Sequence, residues 1–323
     1  MFMNLQLEYL LWLQNFRTAT EDFFTPLFLE ITKCGEYLIP VLVCAVIYWC
    51  IDKKLGALII LNSASALMFN HLLKNIACIY RPWMLDTRIK PVEQALRFAG
   101  GYSFPSGHSS LAVSCWGAIG IWYRKHKAVL ILSVLLCLAV AFSRNYLGVH
   151  TLQDIIVGLL TSFIMLIIMY KLLNWCEQEK NRDIILTSAV LLISILIAVY
   201  TYIKSYPIDY DSVGKMLMDV NKSKLEALPK LGFVLGSFLG WCTERHLVQF
   251  DTATGSLKEK IIRAIIGFIL LFLNIRISLF WRELFGSALG GFFFMMTTGL
   301  LITLVYPWCI KMYTKKHYLH VSR

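Results

Sequence analysis

What most limits how this chain can fold is the recurrence of apolar runs that carry almost no charge. A helix crossing the hydrocarbon core of a bilayer needs roughly 17–25 mostly apolar residues. Such runs occur about nine times, near 34–51, 55–77, 107–123, 128–144, 152–174, 184–203, 229–247, 261–280 and 285–310. The chain is 58% hydrophobic and only 16% charged over 323 residues, with a mean hydropathy of +0.63. A soluble domain carries about 25% charged residues, so a soluble enzyme, a disordered chain and a disulfide-stapled secreted domain are all poor fits. Within a bilayer the backbone must satisfy its own hydrogen bonds. The expected fold is therefore all-α, a polytopic membrane helix bundle of about nine transmembrane helices.

The first 33 residues read differently. Leu5, Leu7, Leu10, Leu11, Trp12 and Leu13 alternate with Glu8, Asn15, Arg17, Glu21 and Asp22, the pattern of an amphipathic segment lying in the membrane interface. Met1-Phe2-Met3-Asn4 has no basic stretch and Glu8 follows early, so a cleaved signal peptide is not expected. Two longer polar connections fall near 79–104 and 204–228.

The net charge is +11, from 31 Lys and Arg against 20 Asp and Glu. Membrane proteins concentrate Lys and Arg in cytoplasmic loops, and no nucleic-acid module is visible, so the bilayer is the expected partner rather than nucleic acid. If the helices alternate in direction, the tight turns at 52–54 and 124–127 share one side. They carry Lys53, Lys54, Arg124, Lys125 and Lys127, which places that side in the cytoplasm. Of the nine cysteines, Cys44, Cys50, Cys115, Cys137 and Cys309 sit in apolar stretches, with no CxxC pair and no Cys/His metal spacing. They read as small apolar packers; no metal and no cofactor are expected.

Three segments hold polar residues that lipid contact does not explain: Lys74-x6-Arg81-Pro82, Pro105-Ser106-Gly107-His108, and Ser143-Arg144-x5-His150-x3-Asp154. By helix parity they converge on one membrane face, the extracytoplasmic one. Their residue types suit phosphoryl transfer, in which catalysis is mostly positioning and electrostatic stabilisation of phosphoryl oxygens. Lys74, Arg81 and Arg144 supply cationic donors, the arginines with a fork able to bind two oxygens. Pro105 ahead of Ser106-Gly107 suits a turn into a helix N-terminus, whose free N–H groups attract anions, and Gly107 permits close approach. His150 and Asp154, at i and i+4, share a helix face. The carboxylate can then hold one imidazole nitrogen as N–H and leave the other free to attack phosphorus. His108 suits protonation of a leaving oxygen.

These segments match, identity for identity, the KX6RP, PSGH and SRX5HX3D signatures of the type 2 phosphatidic acid phosphatase superfamily, which also includes vanadium haloperoxidases. The chain resembles its integral membrane branch over roughly residues 40–175. The resemblance implies a helical core with a metal-independent phosphohistidine mechanism. By position, His150 is the nucleophile, Asp154 its orienting partner and His108 the general acid. Lys74, Arg81, Ser106, Gly107 and Arg144 bind phosphate. It divides the chain into an interfacial segment (1–33), a phosphatase core (34–175) and accessory transmembrane helices of unassigned role (176–323).

Each of these residues has a plainer reading when taken alone. Lys74 could snorkel at a helix end, Arg81-Pro82 could stop a helix, and Asp154 could complement a helix dipole. Their joint occurrence outweighs those readings. The expected activity is hydrolysis of a phosphate ester on a lipid, such as phosphatidate, an isoprenyl (di)phosphate or a related phosphorylated lipid. Two alternatives stay open: a soluble phosphoester, since nine spans and Asn70 four residues before Lys74 also resemble glucose-6-phosphatases, and phosphotransfer to a lipid or sugar acceptor. His71, Tyr80, Trp83 and Tyr102 flank the motifs as weaker candidates. Arg276 is an intramembrane charge that could pair with Glu283, and Gly232-x3-Gly236-x3-Gly240 reads as a close-packing face within the chain.

Overall fold

The computed structural model of the chain describes residues 2–97, 99–211, 214 and 216–321. Among them it is all helical, with one isolated bridge between Tyr210 and Met216. The helices are α1 (Phe2–Ala19), α2 (Thr25–Lys33), α3 (Leu38–Val46), α4 (Lys53–Ala77), α5 (Pro82–Leu85), α6 (Glu93–Leu96), α7 (Gly107–Ala112), α8 (Ala118–Trp122), α9 (Lys127–Tyr146), α10 (Leu152–Cys176), α11 (Arg182–Ile203), α12 (Val220–Leu225), α13 (Ala227–Thr243), α14 (Leu257–Leu300) and α15 (Tyr306–Val321). Four single π-turns, at Ile47–Ile51, Val113–Gly117, Glu244–Val248 and Leu301–Val305, extend or join them.

Among the described residues, five stretches are long and apolar enough to cross a membrane: Lys53–Leu85, Lys127–Tyr146, Leu152–Cys176, Arg182–Ile203 and Leu257–Thr314. A sixth is gained if Thr25–Lys33 and Leu38–Ile51, which meet at a 47° bend, form one span. The difference from nine has local causes. The run at 107–123 folds as the short helices α7 and α8 about a π-turn, and α13 is 17 residues long. The runs at 261–280 and 285–310 are continuous in α14, but Gly286 inside it has φ 78° and ψ 172°. Asn274 Nδ2 donates to Thr298 Oγ1 at 2.8 Å, and Thr297 Oγ1 donates to Asn274 Oδ1 at 2.8 Å. A straight helix would separate residues 24 apart by about 36 Å, so the chain reverses at Gly286 into a helical hairpin.

The chain forms two compact units. The first comprises residues up to Pro40, Phe69–Leu166 and Tyr200–Leu225. Here α1 buries Leu7, Leu10 and Leu13 with Ile89, while Leu5, Trp12 and Phe16 are exposed. Gln6 and Gln153 exchange hydrogen bonds, from Gln6 Nε2 to Gln153 Oε1 at 3.1 Å and from the Gln153 N–H to Gln6 Oε1 at 2.8 Å. Arg17 donates to the carbonyls of Tyr146 (3.0 Å) and Lys90 (2.6 Å). The N-terminal helix is thereby tied to the end of α9 and the start of α10. Val92, Ala95 and Ala99 pack with Tyr146, Leu147 and Val149 beneath the turn between those helices.

The second unit comprises Val41–Met68, Ile167–Val199 and the residues from Glu226 onward. Trp49 Nε1 donates to the Ile302 carbonyl at 2.8 Å, and Arg263 Nη1 donates to the Trp49 carbonyl at 3.0 Å. Glu244 is fully buried and pairs with Lys53 at 3.0 Å. Arg276 is exposed, and no ion pair with Glu283 occurs among the described residues. Cys242 is more than a simple packer: with His246, one turn on, it brings donor atoms within 4.8 Å of one another and of Asp183. Arg245 Nε and His246 Nε2 already hold the Asp183 carboxylate, at 2.9 and 3.0 Å. The cluster is thus an ion-pair network as it stands.

The glycine face of α13 packs against the returning arm of the hairpin. A Cβ on Gly236 would lie 2.1 Å from the Met296 carbonyl oxygen, a backbone atom that cannot swing aside. Gly236→Ala should therefore destabilise the protein by about 1–3 kcal/mol, the usual cost of overpacking, read as a lowered melting temperature in detergent micelles. An unchanged melt would contradict this packing.

Candidate active site

The site is built where α9 ends and α10 begins. The Val149 and His150 N–H groups both donate to the Arg144 carbonyl, at 3.1 and 3.3 Å, so the turn after α9 folds back on the last helical turn and presents His150 inward. Asp154, in the first turn of α10, accepts from the Thr151 N–H at 2.7 Å through Oδ2. That oxygen also lies 3.3 Å from His150 Nδ1 and accepts from Ser103 Oγ at 2.6 Å. Both residues are buried, His150 at 2% and Asp154 at 0% exposure.

The other ring nitrogen of His150 decides the tautomer. Arg81 Nη1 stands 2.9 Å from Nε2. An arginine has donors and no acceptor, so Nε2 receives this bond with its lone pair and Nδ1 carries the proton toward Asp154. Burial, and then the cations Arg81, Lys74 and Arg144, push the imidazole well below its ordinary range, with a hydrogen bond involving Ser103 opposing. The ring is held neutral, with its lone pair on Nε2.

The cations are held largely by carbonyl oxygens. Arg81 donates to Gly100 (2.7 Å), Gly101 (3.1 Å) and Val149 (3.0 Å). Lys74 Nζ, in the last turn of α4, donates to the carbonyls of Tyr102 (2.8 Å) and Ser103 (3.1 Å). A carbonyl satisfies a donor without cancelling its charge. Arg144, fully buried, donates from Nη1 to Thr32 Oγ1 at 2.8 Å, and its Nε and Nη2 have no hydrogen-bond partner among the described residues. His108 Nε2 is likewise buried without a partner. Arg144, His150, Arg81 and Lys74 all lie within electrostatic reach of His108.

Ser106 caps α7: its Oγ accepts from the Ser109 N–H at 3.3 Å, and its own N–H donates to the Asp154 carbonyl at 2.9 Å. Gly107 opens the helix, and a Cβ there would meet nothing nearer than Asn70 Oδ1 at 4.0 Å. The three sequence segments thus meet in one buried cluster within the first unit. Several supporting residues carry no sequence signal. Ser103 binds Asp154, Asn145 Nδ2 donates to the His150 carbonyl at 2.9 Å, and Thr32 holds Arg144 from α2. Asn70 Nδ2 donates to the Pro105 carbonyl (3.3 Å) and to Ser110 Oγ (3.2 Å), steadying the turn before His108. Ser103, Asn145 and Thr32 belong to no fixed spacing and are visible only once the helices are packed; Asn70 stood out in the sequence only by its place four residues before Lys74.

Comparison with known proteins finds two family matches and two similar curated proteins. Residues 55–178 match the PAP2 superfamily, and residues 230–316 match the transmembrane extension of PAP2 superfamily phosphatases. The chain carries a PAP2 superfamily domain with its transmembrane extension. Among curated proteins it is similar to the phosphatidylglycerophosphatase B of Bacillus subtilis (strain 168), at 28% identity over 112 residues, covering 32% of this chain and 52% of that protein. It is also similar to the undecaprenyl-diphosphatase of Sulfolobus acidocaldarius, at 31% identity over 106 residues, covering 33% of this chain and 49% of that protein. The chain thus spans about half the length of the curated relatives it matches. No solved structure matches it. Lys74, Arg81, Ser106, Gly107, His108, Arg144, His150 and Asp154 all fall inside the PAP2 domain match.

The neutral His150 has a consequence for pH. An imidazole with a lowered pKa stays unprotonated as pH falls through the ordinary value of about 6.5. After correction for ionisation of the substrate phosphate, the acid limb of kcat/KM for phosphate-ester cleavage, where His150 takes up a proton, should lie below about pH 6.5. An acid limb centred at or above 6.5 would contradict the site electrostatics.

Proposed function

We propose that the protein is an integral membrane phosphatase that hydrolyses a phosphate ester on a lipid through a phosphohistidine formed on His150, without a metal. The observation that carries this reading is the placing of the ring: Arg81 Nη1 lies 2.9 Å from His150 Nε2 and Asp154 Oδ2 lies 3.3 Å from Nδ1, an arrangement that assigns the lone pair to Nε2. A phosphoryl group brought to Nε2 by an arginine is positioned for in-line attack.

In the first step the Nε2 lone pair attacks phosphorus and the P–O bond to the lipid alcohol breaks. His108 supplies the proton that the leaving oxygen needs. The negative charge on the phosphoryl oxygens is met by Lys74, Arg81 and Arg144, whose Nε and Nη2 are the buried donors without partners, and by the Ser106–Gly107 turn. Asp154 keeps the proton on Nδ1 and stabilises the ring as it becomes cationic. In the second step water attacks the phosphohistidine, giving its proton to His108, and inorganic phosphate leaves.

The lipid substrate class rests on three supports: the PAP2 domain itself, relatives named for phosphatidylglycerophosphate and undecaprenyl diphosphate, and a chain made largely of apolar helices. The chemistry lies in 34–175, with 176–323 as accessory helices and α1, the larger part of 1–33, at the interface. If the bent pair, α7–α8, α13 and both arms of the Gly286 hairpin each cross the membrane, the span count returns to nine. Alternation from the basic turns at 52–54 and 124–127 then puts the site on the extracytoplasmic face.

Purified protein in detergent with EDTA should release phosphate from a lipid phosphoester, be inhibited by vanadate, and lose at least about 10³-fold of its rate in His150→Ala. Undiminished turnover in that variant would overturn the assignment. Equal turnover of sugar phosphates would point to a soluble substrate. Substrate loss outpacing phosphate release when an alcohol is present would point to phosphotransfer.

A further inference from the structure

The segment Tyr200–Leu225 belongs to the same compact unit as the catalytic cluster, yet it lies outside both family matches, which cover 55–178 and 230–316. Four contacts join it to the cluster, and each falls beside a phosphate-binding residue. The first is at the end of α4, one residue past Lys74. Lys204 Nζ donates to the Asn75 carbonyl and to the Ile76 carbonyl at 3.3 Å. The last carbonyls of a helix lack intrahelical donors, and a cation placed there also complements the helix dipole.

The second contact is on the Asn75 side chain. Ser223 Oγ donates to Asn75 Oδ1 at 3.0 Å, and Asn75 Nδ2 donates to the His71 carbonyl at 2.7 Å. Asn75 and Ser223 are buried, at 0% and 3% exposure, so this bond crosses between elements in a dry environment. The third contact is a ring stack: Tyr206 lies on Tyr102 with centroids 6.4 Å apart and planes 8° from parallel. Tyr102 is the residue whose carbonyl receives Lys74 Nζ. Lys204 and Lys224 flank the Tyr206 ring, 5.4 and 5.7 Å from its centroid. The fourth contact runs from Tyr80 Oη to Asp209 Oδ2 at 2.7 Å, one residue before Arg81.

We propose that Tyr200–Leu225 is a positioning strap for the phosphate-binding cations, with Lys204 and Ser223 acting through Asn75 to set the place of Lys74. Neither residue touches the reacting atoms. The strap fixes the helix turn from which Lys74 projects and the ring stack beneath the carbonyl that Lys74 binds. A side chain with four flexible bonds needs such a fixed base if its ammonium is to meet a phosphoryl oxygen. The inference rests on the phosphatase reading above and adds to it a determinant of phosphate affinity from outside the PAP2 domain match.

The test is a double-mutant cycle on vanadate affinity, measured by calorimetry so that it does not depend on turnover. Ser223→Ala should weaken vanadate binding about fivefold in the otherwise wild-type protein, a size of coupling usual within one hydrogen-bond network. In a Lys74→Ala background it should weaken binding by less than about twofold, because residues acting through one another are not additive. Lys204→Met should follow the same pattern, and Lys204→Arg, which keeps the cationic cap, should bind as wild type does. Melting temperatures within a few degrees of wild type identify the variants that have folded, and Ser223→Ala is the milder change if Lys204→Met does not fold. Equal factors in both backgrounds, or no change from either substitution, would overturn the strap. Wild-type protein that hydrolyses no ester but shows this coupling would sink the phosphatase reading and keep the strap. Absence of vanadate binding would overturn both.

Discussion

Everything at this site depends on burying cations whose hydrogen bonds go mostly to carbonyl oxygens, with Asp154 and Glu36 as carboxylates in electrostatic reach. Arg81 is satisfied by the carbonyls of Gly100, Gly101 and Val149, and Lys74 donates to those of Tyr102 and Ser103. A carboxylate would meet the same donors and cancel the charge. A carbonyl meets them and leaves most of the field in place, available to an anion. Burying charge is costly unless it is hydrogen-bonded, so the loop at 99–103 has to be held with its carbonyls facing inward. The packing of Val92, Ala95 and Ala99 on Tyr146, Leu147 and Val149 does this, and the same cluster supports the turn that presents His150. One small apolar core thus sets both the carbonyl cage and the place of His150.

The same field explains the state of His150. An imidazole surrounded by retained positive charge stays neutral, and a neutral imidazole beside an arginine has only one tautomer that pairs well. Asp154 completes the choice from the other side of the ring. It is itself held by the Thr151 N–H and Ser103, so His150, Asp154 and Arg81 form a single connected network.

Much of this was legible in the sequence because phosphoryl transfer needs particular residue types at particular separations. Lys74, Arg81, His108, Arg144, His150 and Asp154 are spaced by helix turns and by two connections, and the structure brings them into one cluster. The i,i+4 relation of His150 and Asp154 predicts a shared helix face; the two are in contact, but His150 lies in the turn before α10 and not on the helix. The supporting residues were not legible. Thr32 reaches Arg144 across 112 positions and Ser223 reaches Asn75 across 148, and no local pattern encodes a partner that distant. Span boundaries were partly legible. Hydropathy finds the apolar runs, but it does not register a π-turn splitting 107–122 or a glycine reversing the chain at 286. The spacing of Gly232, Gly236 and Gly240 was informative, since close approach of helices leaves few other residues possible.

The central claim is that His150 Nε2 becomes covalently bonded to phosphorus. The most direct measurement is mass spectrometry of His108→Ala protein, quenched in base during reaction with a phosphoester bearing a good leaving group. That leaving group needs no acid to depart, while the second step lacks its base, so the intermediate should accumulate. The account predicts an acid-labile phosphate on the peptide containing His150, absent when His150 is also replaced by Ala. Phosphate on a different residue, or turnover of the ester with no phosphopeptide at any time, would contradict it.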